Sequence, residues 1–169
     1  MSNEYQKVSF IRDYLAISCA DTAQNVDTLV EAGLTAVIRV MNEACPGSDL
    51  VMYTGGSCQK DQYFRKLKDN NIEFIKFYQK DDDDVDIIDT ALRVHKEIER
   101  VRGKGGKVLL HCRLGVSRSV TCGIFHLMSV DSSVDFHTAL DEIKKIRPIA
   151  KPNQGFVNQL VNFNFSISK

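Results

Sequence analysis

The chain has no excess of charge of either sign and no long run of apolar residues. Its 169 residues carry 22 Lys plus Arg and 22 Asp plus Glu, so the formal net charge is zero. A general nucleic-acid or membrane-surface binder needs a basic excess, and the balance argues against both. No apolar stretch approaches the roughly 18–20 residues that span a bilayer. We therefore expect neither a nucleic-acid partner nor a membrane.

Cysteine pairs and a leader segment are also missing. The five cysteines include no CxxC pair, and this odd set predicts neither a disulfide framework nor a zinc site. Residues 1–7 are polar and lack the apolar core of a secretory signal. These observations predict a reducing intracellular compartment, the cytoplasm, with the nucleus as an alternative.

Strand-like and helix-like segments alternate along the chain. Short runs rich in β-branched and apolar residues predict strands, at 8–11, 14–17, 35–41, 72–78 and 107–110. Helical periodicity and capping residues predict helices, at 21–30, 63–68, 86–101, from 120, at about 134–145 and at 153–163. Residues 44–60 are rich in turn residues and predict a long loop, with a short strand over 51–53 as the alternative.

This alternation predicts an α/β fold, with a central, mostly parallel sheet flanked by helices. No internal repeat or linker is visible. We expect a single domain over residues 1–169 with a core of about 8–163, a length that can bury a hydrophobic core.

One segment, HCRLGVSRS at 111–119, combines a nucleophile with an anion-binding loop. Cys112 follows an apolar run, and Arg118 stands six positions after it at the end of the loop, before the helix predicted from 120. Gly115 allows the backbone to curl so that successive N–H groups point inward, and the guanidinium fork suits phosphate oxygens. Such a cradle lowers the pKa of a thiol below its free value of about 8.5. Cys112 is therefore predicted to attack phosphorus as a thiolate.

The segment resembles the signature loop of cysteine-dependent protein phosphatases, HCxxGxxR followed by Ser or Thr. Its SRS ending is similar to that of the dual-specificity branch, and RPIAKPNQGF at 147–156 resembles the same family further along the chain. The likeness extends over about residues 8–162 and is greatest to the small, atypical members. It implies a protein-tyrosine-phosphatase-like fold and hydrolysis of phosphotyrosine and phosphoserine or phosphothreonine on proteins.

The resemblance implies a role for each residue of the segment. Cys112 is the nucleophile, Arg118 clamps the phosphate, and Ser119 hydrogen-bonds the thiolate and helps it leave. His111 orders the loop, with a neutral core histidine as the alternative. Backbone N–H groups bind the terminal phosphate oxygens, from Arg113, Leu114, Gly115, Val116, Ser117 and Arg118. Because these dipoles and the guanidinium neutralise the developing charge, neither a metal nor another cofactor is expected.

The reaction also needs a general acid that protonates the leaving oxygen and then acts as base toward water. The resemblance places this acid about thirty residues before the cysteine, where the chain has four aspartates in a row. Asp81 lies 31 residues before Cys112, an offset that aligns the preceding strand without a gap, and it is our prediction, with Asp82 as the alternative. Asn153 and Gln154 are candidates for orienting the hydrolytic water or supporting the loop.

Two other functions stay open at this point. One is a phosphatase acting on a non-protein substrate, such as a phosphoinositide or an RNA 5′ phosphate. Lipid-directed relatives carry lysines in the loop, and this loop has none. The other is a catalytically silent phosphate-binding module, against which the presence of both Cys112 and Arg118 argues. The expected partner is a phosphorylated protein, and the sequence predicts no oligomeric state.

Overall fold

The computed structural model describes residues 5–42 and 56–165, with side chains from residue 61 onward in the second range. The strands of the described residues are β1 (Ser9–Arg12), β2 (Leu15–Ser18), β3 (Ala36–Met41), β4 (Glu73–Tyr78) and β5 (Val108–His111). The helices are α1 (Ala20–Gln24), α2 (Val26–Glu31), α3 (Gly56–Asp69), α4 (Ile88–Arg102), α5 (Arg118–Val130), α6 (Phe136–Ile146) and α7 (Gln154–Asn162).

The strands form one sheet in the order β1-β2-β5-β3-β4. Only β1 runs antiparallel, because a tight turn joins it to β2, and the other pairs are parallel. β3 and β5 occupy the middle of the sheet and are buried along their whole length. Their apolar, β-branched sequences suit strands that are covered on both faces. The predicted α/β fold with a mostly parallel central sheet is confirmed.

Helices cover both faces of this sheet and divide the core in two. Alternate residues of a strand point to opposite faces, so Val108 and Leu110 join the cluster packed by α4, α5, α6 and α7, whereas Leu109 joins the cluster packed by α1, α2 and α3. Cys112 belongs to the second cluster, directly after β5. The central strand therefore delivers the cysteine to the carboxyl edge of the sheet, where sites of open parallel sheets lie.

Two predicted boundaries differ from the structure. The helix predicted over 21–30 is interrupted at Asn25, whose side chain accepts a hydrogen bond from the Thr28 amide and starts α2. The predicted loop at 44–60 is wrong over its last residues, because α3 begins at Gly56. Gly56 and Ser57 suit a helix start as well as a turn. The rest of that loop, including the alternative strand at 51–53, lies outside the described residues.

A buried polar network joins the β1–β2 turn to α4 and α5. The Tyr14 hydroxyl lies 3.0 Å from His126 Nε2, and the Nδ1 atoms of His126 and His95 are also 3.0 Å apart. Burial lowers the pKa of His126 to about 3 and also lowers the pKa of His95. Both rings are therefore neutral at pH 7 and act in packing and hydrogen bonding.

Candidate active site

The segment between β5 and α5 is a tight loop closed by a glycine. Gly115 has φ +66°, and a side chain there would overlap the Ser18 carbonyl and the Arg147 guanidinium. This left-handed conformation and close approach require a residue without Cβ. The loop therefore curls back over the sheet edge before α5 begins at Arg118. We call residues 112–118 the catalytic loop.

Four consecutive carbonyls of the catalytic loop accept hydrogen bonds from outside it. The pairs are Arg113 O from Ala20 N (3.0 Å), Leu114 O from Arg147 Nη2 (3.0 Å), Gly115 O from Arg147 Nε (2.6 Å) and Val116 O from Lys151 N (2.9 Å). In a trans peptide the C=O and the following N–H point in opposite directions. The N–H groups of residues 114–117 therefore face the interior of the loop, as an anion-binding nest requires.

Cys112 lies inside this nest and is only 2% exposed. Burial by itself raises the pKa of the thiol, but the Arg118 charge, the Ser119 hydroxyl and the backbone N–H groups of Ser119 and Val116 outweigh it. The net pKa of Cys112 is lowered. The Ser119 Oγ–Cys112 Sγ distance is 3.3 Å. The arrangement thus stabilises the thiolate, which is the nucleophilic form of the side chain.

Arg118 points its guanidinium toward the same place. It is 7% exposed, and Nη1 donates a hydrogen bond to the Gln79 carbonyl at 3.2 Å. Nε makes no hydrogen bond within the described residues, although it lies 3.4 Å from Asp81 Oδ2. A buried N–H donor without an acceptor is rare in proteins. Here it fits an oxyanion placed between the guanidinium and Cys112.

Asp81 is the carboxylate that the structure brings to the catalytic loop. Its Oδ1 accepts hydrogen bonds from Ser117 Oγ at 2.6 Å and from Asn153 Nδ2 at 2.9 Å. Its side chain is 31% exposed, beside a guanidinium that is 8% exposed. A carboxylate held between the loop and solvent is well placed to exchange a proton with a leaving group or a water.

The other aspartates of the run serve the backbone. Asp82 Oδ1 accepts from the Asp84 amide at 3.2 Å, and Asp83 Oδ1 accepts from the Gly155 amide at 3.2 Å. Asp82, Asp83 and Asp84 are all exposed. Of these four aspartates, Asp81 is the one with a hydrogen bond and an ion pair to the catalytic loop, so the geometry favours it over the alternative Asp82. Their roles in the reaction stay predictions.

The first residues of α7 hold the segment 79–87, which we call the acidic loop. A side chain at Gly155 would overlap the Asp83 backbone, so the two segments pack in direct contact. Gln159 accepts from the Ile87 amide and donates to the Val85 carbonyl, both at 2.9 Å. Sequence reasoning missed Gly155 and Gln159, because the acidic loop and α7 are far apart along the chain.

Of the two residues predicted to orient water or support the loop, Asn153 lies in the site and Gln154 does not. Asn153 lies in the site, where Nδ2 contacts Asp81 and Oδ1 caps α7 by accepting from the Phe156 amide at 2.8 Å. Gln154 is exposed and donates to Asn158 of its own helix. Only Asn153 therefore supports the candidate acid.

His111 lies beneath the catalytic loop and is 1% exposed. Burial, opposed by a hydrogen bond with the Cys112 carbonyl and aided by the Arg39 charge, lowers its pKa to about 4. The Nδ1–carbonyl oxygen distance is 3.3 Å. His111 is therefore neutral at pH 7, and its contact with the loop backbone is compatible with both readings of the sequence, loop ordering and core packing.

Other candidate sites are missing from the part of the chain that the structure describes. There, no group of three or more His, Cys, Asp or Glu side chains could hold a metal ion. Over the same residues, no helix has the length and apolarity to cross a bilayer. Cys122 is fully buried in the core, and burial raises its pKa.

Comparison with known proteins gives one consistent family. The model of the dual specificity phosphatase catalytic domain matches residues 15–165. MAP kinase phosphatase with leucine-rich repeats protein 1 of Dictyostelium discoideum is 31% identical over 94% of this chain, which spans 16% of that protein. Dual specificity protein phosphatase 1 of Arabidopsis thaliana is 30% identical, over 94% of this chain and 70% of the relative. Several curated relatives are thus much longer than this chain.

Solved structures show the same fold. The crystal structure of DUSP15 superposes with a TM-score of 0.75 at 24% identity, covering 96% of this chain and 90% of the other. The human tyrosine phosphatase-like serine/threonine/tyrosine-interacting protein gives 0.75 at 20% identity, covering 92% and 93%. Because these identities are low, the structures show the fold, and the argument about activity rests on the site.

Proposed function

Because the chain belongs to the dual specificity phosphatase catalytic-domain family, we propose that it hydrolyses phosphotyrosine and phosphoserine or phosphothreonine on proteins through a cysteinyl-phosphate intermediate. The observation that supports this most strongly is the nest around Cys112, with its lowered thiol pKa. Arg118 Nε is a buried donor without a hydrogen bond within the described residues, and it lies 3.4 Å from Asp81 Oδ2. A thiolate inside an anion-binding loop has the two properties that phosphoryl transfer requires.

In the first step, loop N–H groups and Arg118 bind the phosphate oxygens. The Cys112 thiolate attacks phosphorus, so an S–P bond forms while the bond to the leaving oxygen breaks. Asp81 gives its proton to that oxygen, which departs as a neutral hydroxyl. Before binding, Asp81 is ion-paired with this guanidinium at 3.4 Å. A phosphate that takes the Nε–H of Arg118 would release the Asp81 carboxylate, which takes a proton from solvent before it protonates the leaving oxygen.

In the second step, the Asp81 carboxylate takes a proton from water, and the resulting hydroxide attacks phosphorus. The S–P bond breaks and inorganic phosphate forms. The electron pair returns to Cys112 as a thiolate, which the Ser119 hydroxyl, 3.3 Å away, stabilises by hydrogen bonding. Asp81 is then protonated again and ready for the next substrate.

The intermediate can be tested by mass spectrometry. Wild-type protein is mixed with p-nitrophenyl phosphate, quenched in acid and digested, and we expect a phosphate adduct on the peptide containing Cys112. Cys112→Ser is the matched control, because it replaces the thiol with a hydroxyl of similar size that does not form a thiolate. An adduct on another residue, or turnover by wild type without any adduct on Cys112, would overturn the covalent mechanism.

The substrate class needs a separate measurement. Rates are compared on phosphotyrosine and phosphothreonine peptides, on a phosphoinositide and on a 5′-triphosphorylated RNA. We expect the highest kcat/KM on the peptides. A higher value on the lipid or on the RNA would replace the protein substrate and leave the chemistry of the loop intact.

A further inference from the structure

Arg147 is a buried arginine that the reaction does not use and that nevertheless contacts the catalytic loop. It follows α6, is 1% exposed, and donates through Nε to Gly115 O at 2.6 Å and through Nη2 to Leu114 O at 3.0 Å. One rigid, planar side chain thus holds two consecutive carbonyls of the loop. A guanidinium is suited to this task because its donors have a fixed geometry.

The second carbonyl has a direct connection to the nucleophile. Gly115 C=O and Val116 N–H are the two ends of one planar peptide unit. The first end accepts a hydrogen bond from Arg147 Nε, and the second is one of the backbone N–H groups that lower the pKa of Cys112. Rotation of this peptide would turn the N–H away from the sulfur and the carbonyl oxygen toward it. Arg147 opposes that rotation from outside the loop.

The opposite side of the guanidinium is also occupied. Nη1 donates to Lys7 O at 3.2 Å and to Ser9 Oγ at 3.3 Å, and Nη2 donates to Tyr5 O at 3.4 Å. These contacts fix the guanidinium itself, so that it acts as a rigid support rather than a mobile side chain. They also connect residues 5–9 to the catalytic loop through a single group.

We propose that Arg147 is a positioning residue for the phosphatase reaction, which sets the orientation of the 115–116 peptide and thereby stabilises the Cys112 thiolate. This inference rests on the proposed function for its consequence in turnover. The charge of Arg147 acts in the same direction, since the Cys112 and Arg147 charges attract each other. The proposed role differs from a purely electrostatic one, because the hydrogen bond to the Gly115 carbonyl fixes the direction of Val116 N–H and a charge alone would not.

Arg147→Lys separates these two contributions, because it keeps a cation and loses the planar pair of donors. The rate of alkylation of Cys112 by iodoacetamide is measured against pH in the absence of substrate. We expect its midpoint to rise by about one pH unit, the size of one hydrogen bond to a charged group. The inhibition constant of inorganic phosphate should rise about tenfold and kcat/KM should fall about 10²-fold.

Arg12→Lys is the matched control. Arg12 is a partly buried arginine that joins β1 to Glu142 of α6 at 2.8 Å. We expect this variant to change thermal stability and to leave the alkylation midpoint and the phosphate inhibition constant unchanged. If Arg147→Lys behaved in the same way, with a lower Tm and unchanged thiol reactivity, Arg147 would be purely structural and the proposal would be overturned.

If Arg147→Lys does not fold, Ser9→Ala tests the contacts that hold the Arg147 guanidinium on the side away from the catalytic loop. It removes one acceptor of Nη1, and we expect the alkylation midpoint to rise by about 0.3 pH unit. An unchanged midpoint would overturn the proposal. The alkylation assay needs no turnover, so a wild type that hydrolyses no tested phosphoester would refute the proposed function and leave this result interpretable.

Discussion

The catalytic loop and the acidic loop lie side by side at the site, but different groups form the site in each loop and different contacts hold them in place. In the catalytic loop the backbone carries the site: four carbonyls are fixed from outside, and Cys112 is 2% exposed. In the acidic loop the aspartate side chains make the contacts of the site, and residues 81–84 are exposed. The first loop is held by four separate donor contacts, whereas the second depends largely on one partner, the start of α7.

Because of this difference, the reactivity of the Cys112 thiol and the position of the Asp81 carboxylate depend on different contacts. The groups that lower the pKa of the thiol, which are loop N–H groups, Arg118 and Ser119, all lie within the segment 112–119, and Arg147 acts on them by holding the loop backbone. The position of the carboxylate follows from contacts between segments that are distant in sequence, such as Asp81 with Asn153. Substitutions in the catalytic loop should therefore affect the nucleophile itself, and substitutions around the acidic loop should affect proton transfer.

The largest expected effect is at the nucleophile. Cys112→Ser replaces a thiolate with a neutral hydroxyl of much higher pKa, and we expect kcat on p-nitrophenyl phosphate to fall at least about 10⁴-fold. Binding of inorganic phosphate, measured by calorimetry, should persist because the nest is backbone. Substantial turnover by the serine variant would mean that the catalytic loop does not supply the nucleophile.

The next effect separates two neighbouring aspartates. Asp81→Asn removes the proposed proton donor, and we expect kcat on a phosphotyrosine peptide to fall about 10²–10⁴-fold. The fall should be smaller on p-nitrophenyl phosphate, whose activated leaving group needs less protonation. Asp82→Asn, the matched variant, should lose less than about threefold. The reverse ranking would identify Asp82 as the acid and show that the acidic loop rearranges when substrate binds.

A smaller effect is expected from the hydroxyl beside the thiol. In wild type the pKa of Cys112 is lowered, so alkylation should reach half its maximal rate below the ordinary pH of about 8.5. Ser119→Ala removes one donor to the thiolate, and the midpoint should move upward by about one pH unit. The acid limb of the kcat/KM profile should shift to higher pH by a similar amount. No movement would show that Arg118 and the backbone nest determine the acidity without this hydroxyl.

The smallest effect tests the support of the acidic loop. Asn153→Ser keeps a good helix cap for α7 but loses the Nδ2 donor to Asp81, which Ser117 still contacts. We expect kcat to fall about threefold with little change in Tm. Gln154→Ala is the control, since that side chain contacts its own helix. Equal kcat values for the two variants would show that Asn153 does not position the acid.

The sequence predicted the catalytic loop better than its surroundings. A strand, a glycine-containing loop and a helix start are local signals, and Cys112, Arg118 and Ser119 meet as predicted because all three lie on this short segment. Asp81 was selected through an offset in the family resemblance, and the structure places it beside Arg118. The contacts of Ser117 and Asn153 with Asp81 join residues far apart in the chain and depend on how α7 packs.

The supporting residues were harder to predict for the same reason. Arg147 directly follows α6 and Gln159 lies within α7, and nothing in the residues beside them indicates that they hold loops 32 and 72 residues away. The interruption at Asn25 was missed because its neighbours continue a helical pattern. Such features are decided by tertiary packing, which one sequence without relatives does not reveal.

The backbone construction of the catalytic loop has an evolutionary consequence. In the proposed mechanism backbone N–H groups bind phosphate and stabilise the thiolate, so the side chains of Arg113 and Leu114 are not needed for either task. Both are exposed, Leu114 by 51%. A lineage can therefore exchange these two side chains, and so change which phosphorylated molecules fit the rim, without rebuilding the chemistry beneath. Inherited reactivity and adaptable recognition coexist in one short segment.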